Sequence, residues 1–204
     1  MEQLVTDSRF AVYLIPPFPL SQQVAEIPLL LQKQFGFQAA GCFPVHCTMK
    51  GFFKKNDSKL EVIQGQLDAL FQGERAILAA AEGYRQDEIG FGLSLMTLEG
   101  NTNKPLIELR ERIVDVVKPF IAPDCDFREH DLGRPFHPHI TYAFRDCPER
   151  YYNQVLSWLE DGPELDAPFL ADRYHFLEFF SEDWDGPWWE TISWRLIQGW
   201  RLTP

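Results

Sequence analysis

The sequence predicts an α+β fold assembled from two similar halves. Three observations carry that prediction. Each half of the chain holds one His-x-Thr motif on a segment with strand-like alternation of polar and apolar residues. Each motif segment is preceded by a helix pattern and followed by a helix and a pair of strands, in the same order. The 204 residues, 45% hydrophobic and 24% charged, suit a globular chain large enough to bury a core. We expect a single domain over 1–204, with halves of roughly 1–100 and 101–204.

Arg9-Phe-Ala-Val-Tyr-Leu-Ile15 reads as the first strand, stopped by Pro16-Pro17. Ser21 is placed to cap a helix over 21–35, with Val24, Leu31 and Phe35 on one side, Gly36 as its stop and Pro28 placed to kink it. The first motif strand spans 43–53. Ser58-x-x-Glu61 has the form of a capping box, and Leu60, Ile63, Leu67, Leu70 and Phe71 make a helical stripe behind it. Strands at 76–84 and 89–98 flank a turn near Gln86-Asp87. Asn103-Lys-Pro105 opens the next helix, with Leu106, Leu109, Ile113, Val116 and Phe120 on one side. A loop over 122–133 leads to the second motif strand, within Arg134–Arg145. Pro148 begins a helix carrying Tyr152, Val155, Leu156 and Leu159, and strands at 169–180 and 189–202 flank a turn at Asp185-Gly-Pro187.

The motifs carry the chemistry. In Phe43-Pro-Val-His-Cys-Thr-Met-Lys50, alternation puts Phe43, Val45, Cys47 and Met49 on one face and His46, Thr48 and Lys50 on the other. In the second segment Phe136, Pro138, Ile140, Tyr142 and Phe144 face inward, while His137, His139, Thr141, Ala143 and Arg145 face outward. A lone His-x-Thr on a strand is common and signifies little. Two in equivalent slots suggest strands meeting across a cleft. An imidazole with an unperturbed pKa near 6.5 exchanges protons in either direction near neutral pH, so a pair supplies both base and acid. Hydrolysis of a phosphodiester needs both. The threonine hydroxyls can donate to non-bridging phosphate oxygens, and Lys50 and Arg145 can add positive charge. Which histidine is base and which acid is left open, and the scheme requires no metal or cofactor.

The balance of 19 Lys and Arg against 30 Asp and Glu, a net charge of −11, argues against binding duplex DNA, yet allows a small nucleotide or one RNA end in a local basic pocket. No apolar run is long enough to span a membrane. The N-terminal segment lacks a basic region followed by an apolar run, so a cytoplasmic protein, acting as a monomer, is the expectation. Cys42, Cys47, Cys125 and Cys147 form no CxxC pair, which disfavours zinc.

His46-Cys-Thr-Met49 and His139-Ile-Thr-Tyr142, with Phe-His-Pro-His-Ile-Thr around the second, give the chain a close likeness to one family. It resembles the two-histidine phosphoesterase superfamily, which includes 2′–5′ RNA ligase-like proteins and 2′,3′-cyclic nucleotide phosphodiesterases. The resemblance runs from the Arg9–Ile15 strand to the final strand. It implies a bilobal duplicated α+β fold, with two antiparallel sheets facing a central cleft and helices outside. It also implies metal-independent hydrolysis of a cyclic phosphodiester, such as a 2′,3′-cyclic nucleotide or RNA end, opened to a 2′-phosphate. By this likeness His46 and His139 are the acid–base pair, and Thr48 and Thr141 the phosphate donors. Two other readings use the same cleft: a module that binds a nucleotide or RNA end without turnover, and 2′–5′ joining of RNA ends.

Other residues are secondary. Phe52, in phase with His46, is a candidate wall for stacking a base, and His137 a candidate cleft residue beside His139. His137, His139 and His46 could also gather a metal, but spacing places no carboxylate to complete the set. Trp184, Trp188, Trp189, Trp194 and Trp200 crowd the last strand pair, where core packing and a hairpin tip compete with base stacking. His130 and His175 have no patterned partner and read as ordinary residues.

Overall fold

The computed structural model describes residues 7–87, 90–125, 135–162, 165 and 168–204. β1 (Arg9–Leu14) is buried at every position, as a strand covered on both faces should be. α1 (Leu20–Phe35) buries Leu20, Val24, Ile27 and Leu31 and continues past Pro28. Its start differs from expectation. Pro19, not Ser21, occupies the N-cap, and no side chain caps it. Its end does not differ: Gly36 is left-handed at φ 85° and its N–H bonds Gln32 O.

The first motif strand is shorter than its pattern. A 3₁₀ turn at Ala39–Cys42 and Pro44 delay pairing until β2 (Cys47–Phe53). α2 (Leu60–Gln72) buries Ile63, Leu67 and Phe71, but Lys59 is its N-cap and the Ser58 capping box does not form. Asn56 Oδ1 instead accepts from the Ser58 N–H at 3.0 Å. β3 (Ile77–Asp87) runs through the expected turn, since Gln86 and Asp87 still pair with Phe91 and Gly90 of β4 (Gly90–Met96). Asn103 caps α3 (Lys104–Val117) by accepting from Leu106 N–H. Most of the 122–133 loop lies outside the described residues. β5 (His139–Phe144) follows, then a 3₁₀ turn and α4 (Tyr152–Glu160). The expected 169–180 strand is two strands with different partners: β6 (Phe169–Ala171) pairs with β3, and β7 (Arg173–Phe180) with β1 and β8 (Ser193–Arg201).

Among the described residues the strands form one eight-stranded antiparallel order, β6-β3-β4-β5-β2-β1-β7-β8. It comprises two four-stranded groups joined where β5 meets β2 through the pair Cys47↔Ile140. The groups do not follow the first and second halves of the chain, because β1 and β2 lie with β7 and β8. Pairing along the whole of β1, from Arg9↔Phe179 to Leu14↔Tyr174, sets this early strand beside the late β7–β8 pair.

The two sheet faces differ. One carries the main core: Val12, Leu14, Cys47, Met49, Phe53, Leu93, Ile140 and Phe176 pack with the buried sides of all four α-helices. Each fully buried Leu or Ile there contributes about 1.5–3 kcal/mol. α1 lies on β5 and α3 on β2, so a helix backs each motif strand. On the other face Ala11, Tyr13, Phe52, Leu177, Phe179 and Trp188 form a smaller cluster under Trp184 and Trp189. No helix among the described residues is long and apolar enough to cross a membrane.

Candidate active site

Cys47 and Ile140 are opposite one another and fully buried on the helix-covered face. Their sequence neighbours therefore turn to the other face. Carrying the antiparallel register one residue each way from Cys47↔Ile140 sets His46 opposite Thr141 and Thr48 opposite His139. The histidines thus occupy one diagonal of a quadrilateral and the threonines the other. Diagonal neighbours on adjacent strands stand roughly 7–8 Å apart. All four side chains are partly exposed.

The imidazoles are held alike. His46 Nδ1 lies 2.7 Å from Pro44 O, and His139 Nδ1 lies 2.8 Å from His137 O. A carbonyl can only accept, so each Nδ1 carries the proton and donates it. With Nδ1 committed, proton exchange falls to Nε2 in both rings. The surroundings are not alike. His46 stacks on Tyr13 with ring centroids 3.7 Å apart and planes at 15°, with Phe43 at 6.2 Å. Burial pushes its pKa down to about 4; the Pro44 carbonyl opposes that shift, and the His139 charge adds to it.

Gly92 bears on His139. It pairs with Thr141, and a Cβ built on it would sit 3.0 Å from His139 Cδ2 and 3.0 Å from Ile140 O. Asp146, just beyond β5, ties the two motifs together. Its Oδ2 accepts from Gln38 N–H at 2.5 Å and Ala39 N–H at 3.0 Å, fixing the start of the 3₁₀ turn that leads to His46.

The other anticipated residues are more dispersed. Lys50 is only 1% exposed; its Nζ donates to Gly51 O and lies 5.5 Å from the Phe53 ring centroid. Phe52 is packed among Phe179 at 4.8 Å, Trp188 at 5.2 Å and Trp184 at 5.6 Å, so most of its ring area is covered by aromatic neighbours. His137 is exposed, and what it gives the site is its carbonyl. Arg145 is exposed, with φ 63°, and its guanidinium lies 5.7 Å from the Trp189 ring centroid, linking the end of β5 to the β7–β8 connection. Trp200 belongs elsewhere, against Phe71 and bonded to Asp68, and Trp194 is largely exposed. His175 pairs with Tyr13 and Gly199, while His130 lies outside the described residues. Cys47 is core, its thiol pushed up to about 12 by burial. Among the described residues no three His, Cys, Asp or Glu side chains gather in a way that could hold a metal.

Sequence reasoning passed over Tyr13, Gly92 and Asp146. Gly92 had a signal, because glycine inside a strand marks close approach of a neighbour. Tyr13 and Asp146 had none beyond their residue type.

Known proteins share this fold. A family model described as the 2′-5′ RNA ligase superfamily matches residues 16–180. No curated protein matches the chain. Among solved structures, the fold is similar to TT0787 of Thermus thermophilus, with TM-score 0.64, 14% identity, and 95% of this chain and 97% of that one covered. It is also similar to E. coli LigT in apo form, with TM-score 0.53, 14% identity, and 98% and 99% covered. LigT complexed with 3′-AMP aligns with TM-score 0.53 and 12% identity, over 97% and 99% of the two chains. With two His-x-Thr motifs side by side and a family match across most of its length, the chain belongs to the 2′-5′ RNA ligase superfamily of two-histidine phosphoesterases.

Proposed function

We propose that this protein is a metal-independent phosphodiesterase that opens 2′,3′-cyclic phosphates of nucleotides or RNA ends. The observation that carries the reading is the Cys47↔Ile140 junction, which sets two Nδ1-anchored imidazoles on one diagonal and two hydroxyls on the other. An anion seated at the centre meets a proton acceptor on one side and a donor on the other. That is the geometry of in-line displacement with general acid and base.

His46 is the base in this scheme. Enclosure by Tyr13 and Phe43 keeps it neutral at pH 7 in the ligand-free protein, so Nε2 can take a proton from water. The water oxygen bonds phosphorus as the P–O3′ bond breaks. His139 Nε2–H protonates the departing 3′ oxygen, leaving a 2′-phosphate. Thr48 and Thr141 donate to the non-bridging oxygens, where charge builds in the transition state. The chain's net charge of −11 favours a nucleotide or a short RNA end over a long polyanion. The 3′-AMP complex of LigT supports a nucleotide-sized ligand in this fold.

Phosphorus NMR of 2′,3′-cyclic nucleotides incubated with the protein in EDTA tests the proposal. The expected result is conversion of the cyclic signal to a 2′-monophosphate, lost in His46→Ala and His139→Ala. An unchanged cyclic signal with tight binding by calorimetry would make the cleft a binding module instead. Joining of RNA half-molecules would show the reverse chemistry.

A further inference from the structure

The two motif threonines each face a neighbour on the outer side of their strand. Thr48 pairs with Tyr13 on β1, and Thr141 pairs with Gly92 on β4. These positions are equivalent in the two groups of strands, yet their occupants are opposites. Tyr13 supports the His46 ring by stacking beneath it. At Gly92 the support is a missing side chain.

We infer that Gly92 is a positioning residue for His139, its bare Cα setting where the imidazole sits. The inference rests on the acid–base reading above. The close contacts argue for it. A Cβ on residue 92 would lie 3.0 Å from His139 Cδ2, 3.6 Å from His139 Cβ and 3.0 Å from Ile140 O. Ordinary carbon contacts are about 3.5–4.0 Å. Neither neighbour yields easily. Ile140 O is backbone inside the sheet, flanked by the pairs Leu93↔Ile140 and Ser94↔His139. The His139 ring is tethered through Nδ1 to His137 O at 2.8 Å. A methyl group at 92 therefore makes the ring or the β4–β5 pairing give by a few tenths of an ångström. Backbone freedom is not the reason for glycine here. Among the described residues the positive-φ glycines are Gly36, Gly83, Gly90 and Gly100, and Gly92 is not one of them. A register shift between Phe91 and Gly92 further marks the spot where β4 adapts to the motif strand.

Gly92→Ala tests the inference, with Gly199→Ala as the comparison. A Cβ on residue 199 would also approach a histidine ring, His175 Cδ2 at 3.3 Å, with the nearest backbone oxygen at 3.9 Å, and His175 is not one of the four motif side chains. In Gly92→Ala, kcat on a 2′,3′-cyclic nucleotide should fall several-fold, up to about 10-fold, with KM changed far less, since the neighbours must give by a few tenths of an ångström and a full 1 Å misplacement costs about 10²-fold. Gly199→Ala should keep its kcat. NMR of the ligand-free protein should show the His139 imidazole resonances moved in Gly92→Ala and those of His46 in place. A folded Gly92→Ala with unchanged kcat and unmoved His139 resonances overturns the inference. Turnover that survives His46→Ala and His139→Ala defeats the catalytic reading instead, and the ring shift still judges Gly92. If Gly92→Ala does not fold, Gly92→Ala/His139→Ala decides. Recovery of folding when the ring is removed supports the inference, and continued failure to fold contradicts it.

Discussion

Replacing Tyr13 by leucine should change the pH at which the protein works. In the folded chain His46 is depressed from 6.5 to about 4, chiefly by burial. At about 1.36 kcal/mol per pKa unit, that difference represents roughly 3 kcal/mol against the charged ring. The stacked Tyr13 ring, 3.7 Å away, is a large part of the enclosure. Leucine leaves one face of the imidazole closer to water, so the pKa should climb toward 6.5, while Tyr13→Phe should leave it low. The assay is kcat/KM against pH, which reports ionisations of the free enzyme. Wild type and Tyr13→Phe should lose activity on an acid limb near 4; in Tyr13→Leu that limb should move upward by at least one unit. The anionic substrate favours the charged ring, so the limb in kcat should lie above that in kcat/KM. Stability follows the same linkage. Between about 4 and 6.5 the unfolded chain binds more protons at His46, so stability falls as pH drops through that window. This fall should be shallower in Tyr13→Leu. A wild-type acid limb near 6.5, or one indifferent to Tyr13→Leu, would refute the reasoning.

Other perturbations have equally definite outcomes. His46→Ala and His139→Ala should each lower kcat on the order of 10²–10⁴-fold, measured by steady-state hydrolysis of a cyclic nucleotide, with circular dichroism unchanged. Thr48→Ala and Thr141→Ala, each losing one hydrogen bond to a charged phosphate, should cost on the order of 10–10²-fold in the same assay. Asp146→Ala removes the acceptor for Gln38 N–H and Ala39 N–H and should destabilise by about 1 kcal/mol in urea titration. It should also lower kcat by loosening the segment that carries His46, and Asp146→Asn should recover part of both. Phe52→Ala should cost about 3–5 kcal/mol of stability, as for a core phenylalanine, because its ring lies among Phe179, Trp184 and Trp188.

Alternation made the motif strands legible. Cys47 and Met49 on one strand, and Ile140 and Tyr142 on the other, are spaced by two, and each is buried in the main core. The stripes of α2 and α3 were equally plain, since Ile63, Leu67, Leu109 and Ile113 recur at helical spacing. Caps were less legible. Ser21 and Ser58 have the right residue type, but α1 already begins at Leu20 behind Pro19, and Asn56 takes the Ser58 N–H. The pairing of β1 with β7 was hidden because local pattern does not report contacts between the ends of a chain. For the candidate site, residue type and phase put the two histidines and two threonines on one face of their strands, and the β2–β5 register sets them beside one another. Phase did not report how enclosed Lys50 and Phe52 are: Lys50 is buried beside Phe53, and Phe52 is covered by Phe179 of β7 and by Trp184 and Trp188 beyond it. The seats of the imidazoles, Tyr13 and Gly92, come from neighbouring strands and depend on register.

Two imidazoles sharing one anion are the core of the proposed chemistry. Titration of the ligand-free protein with inorganic phosphate, followed by imidazole NMR, tests this directly. His46 and His139 resonances should move together with one dissociation constant, and His46→Ala should weaken the response of His139. Resonances that move at separate phosphate concentrations, or not at all, would contradict it.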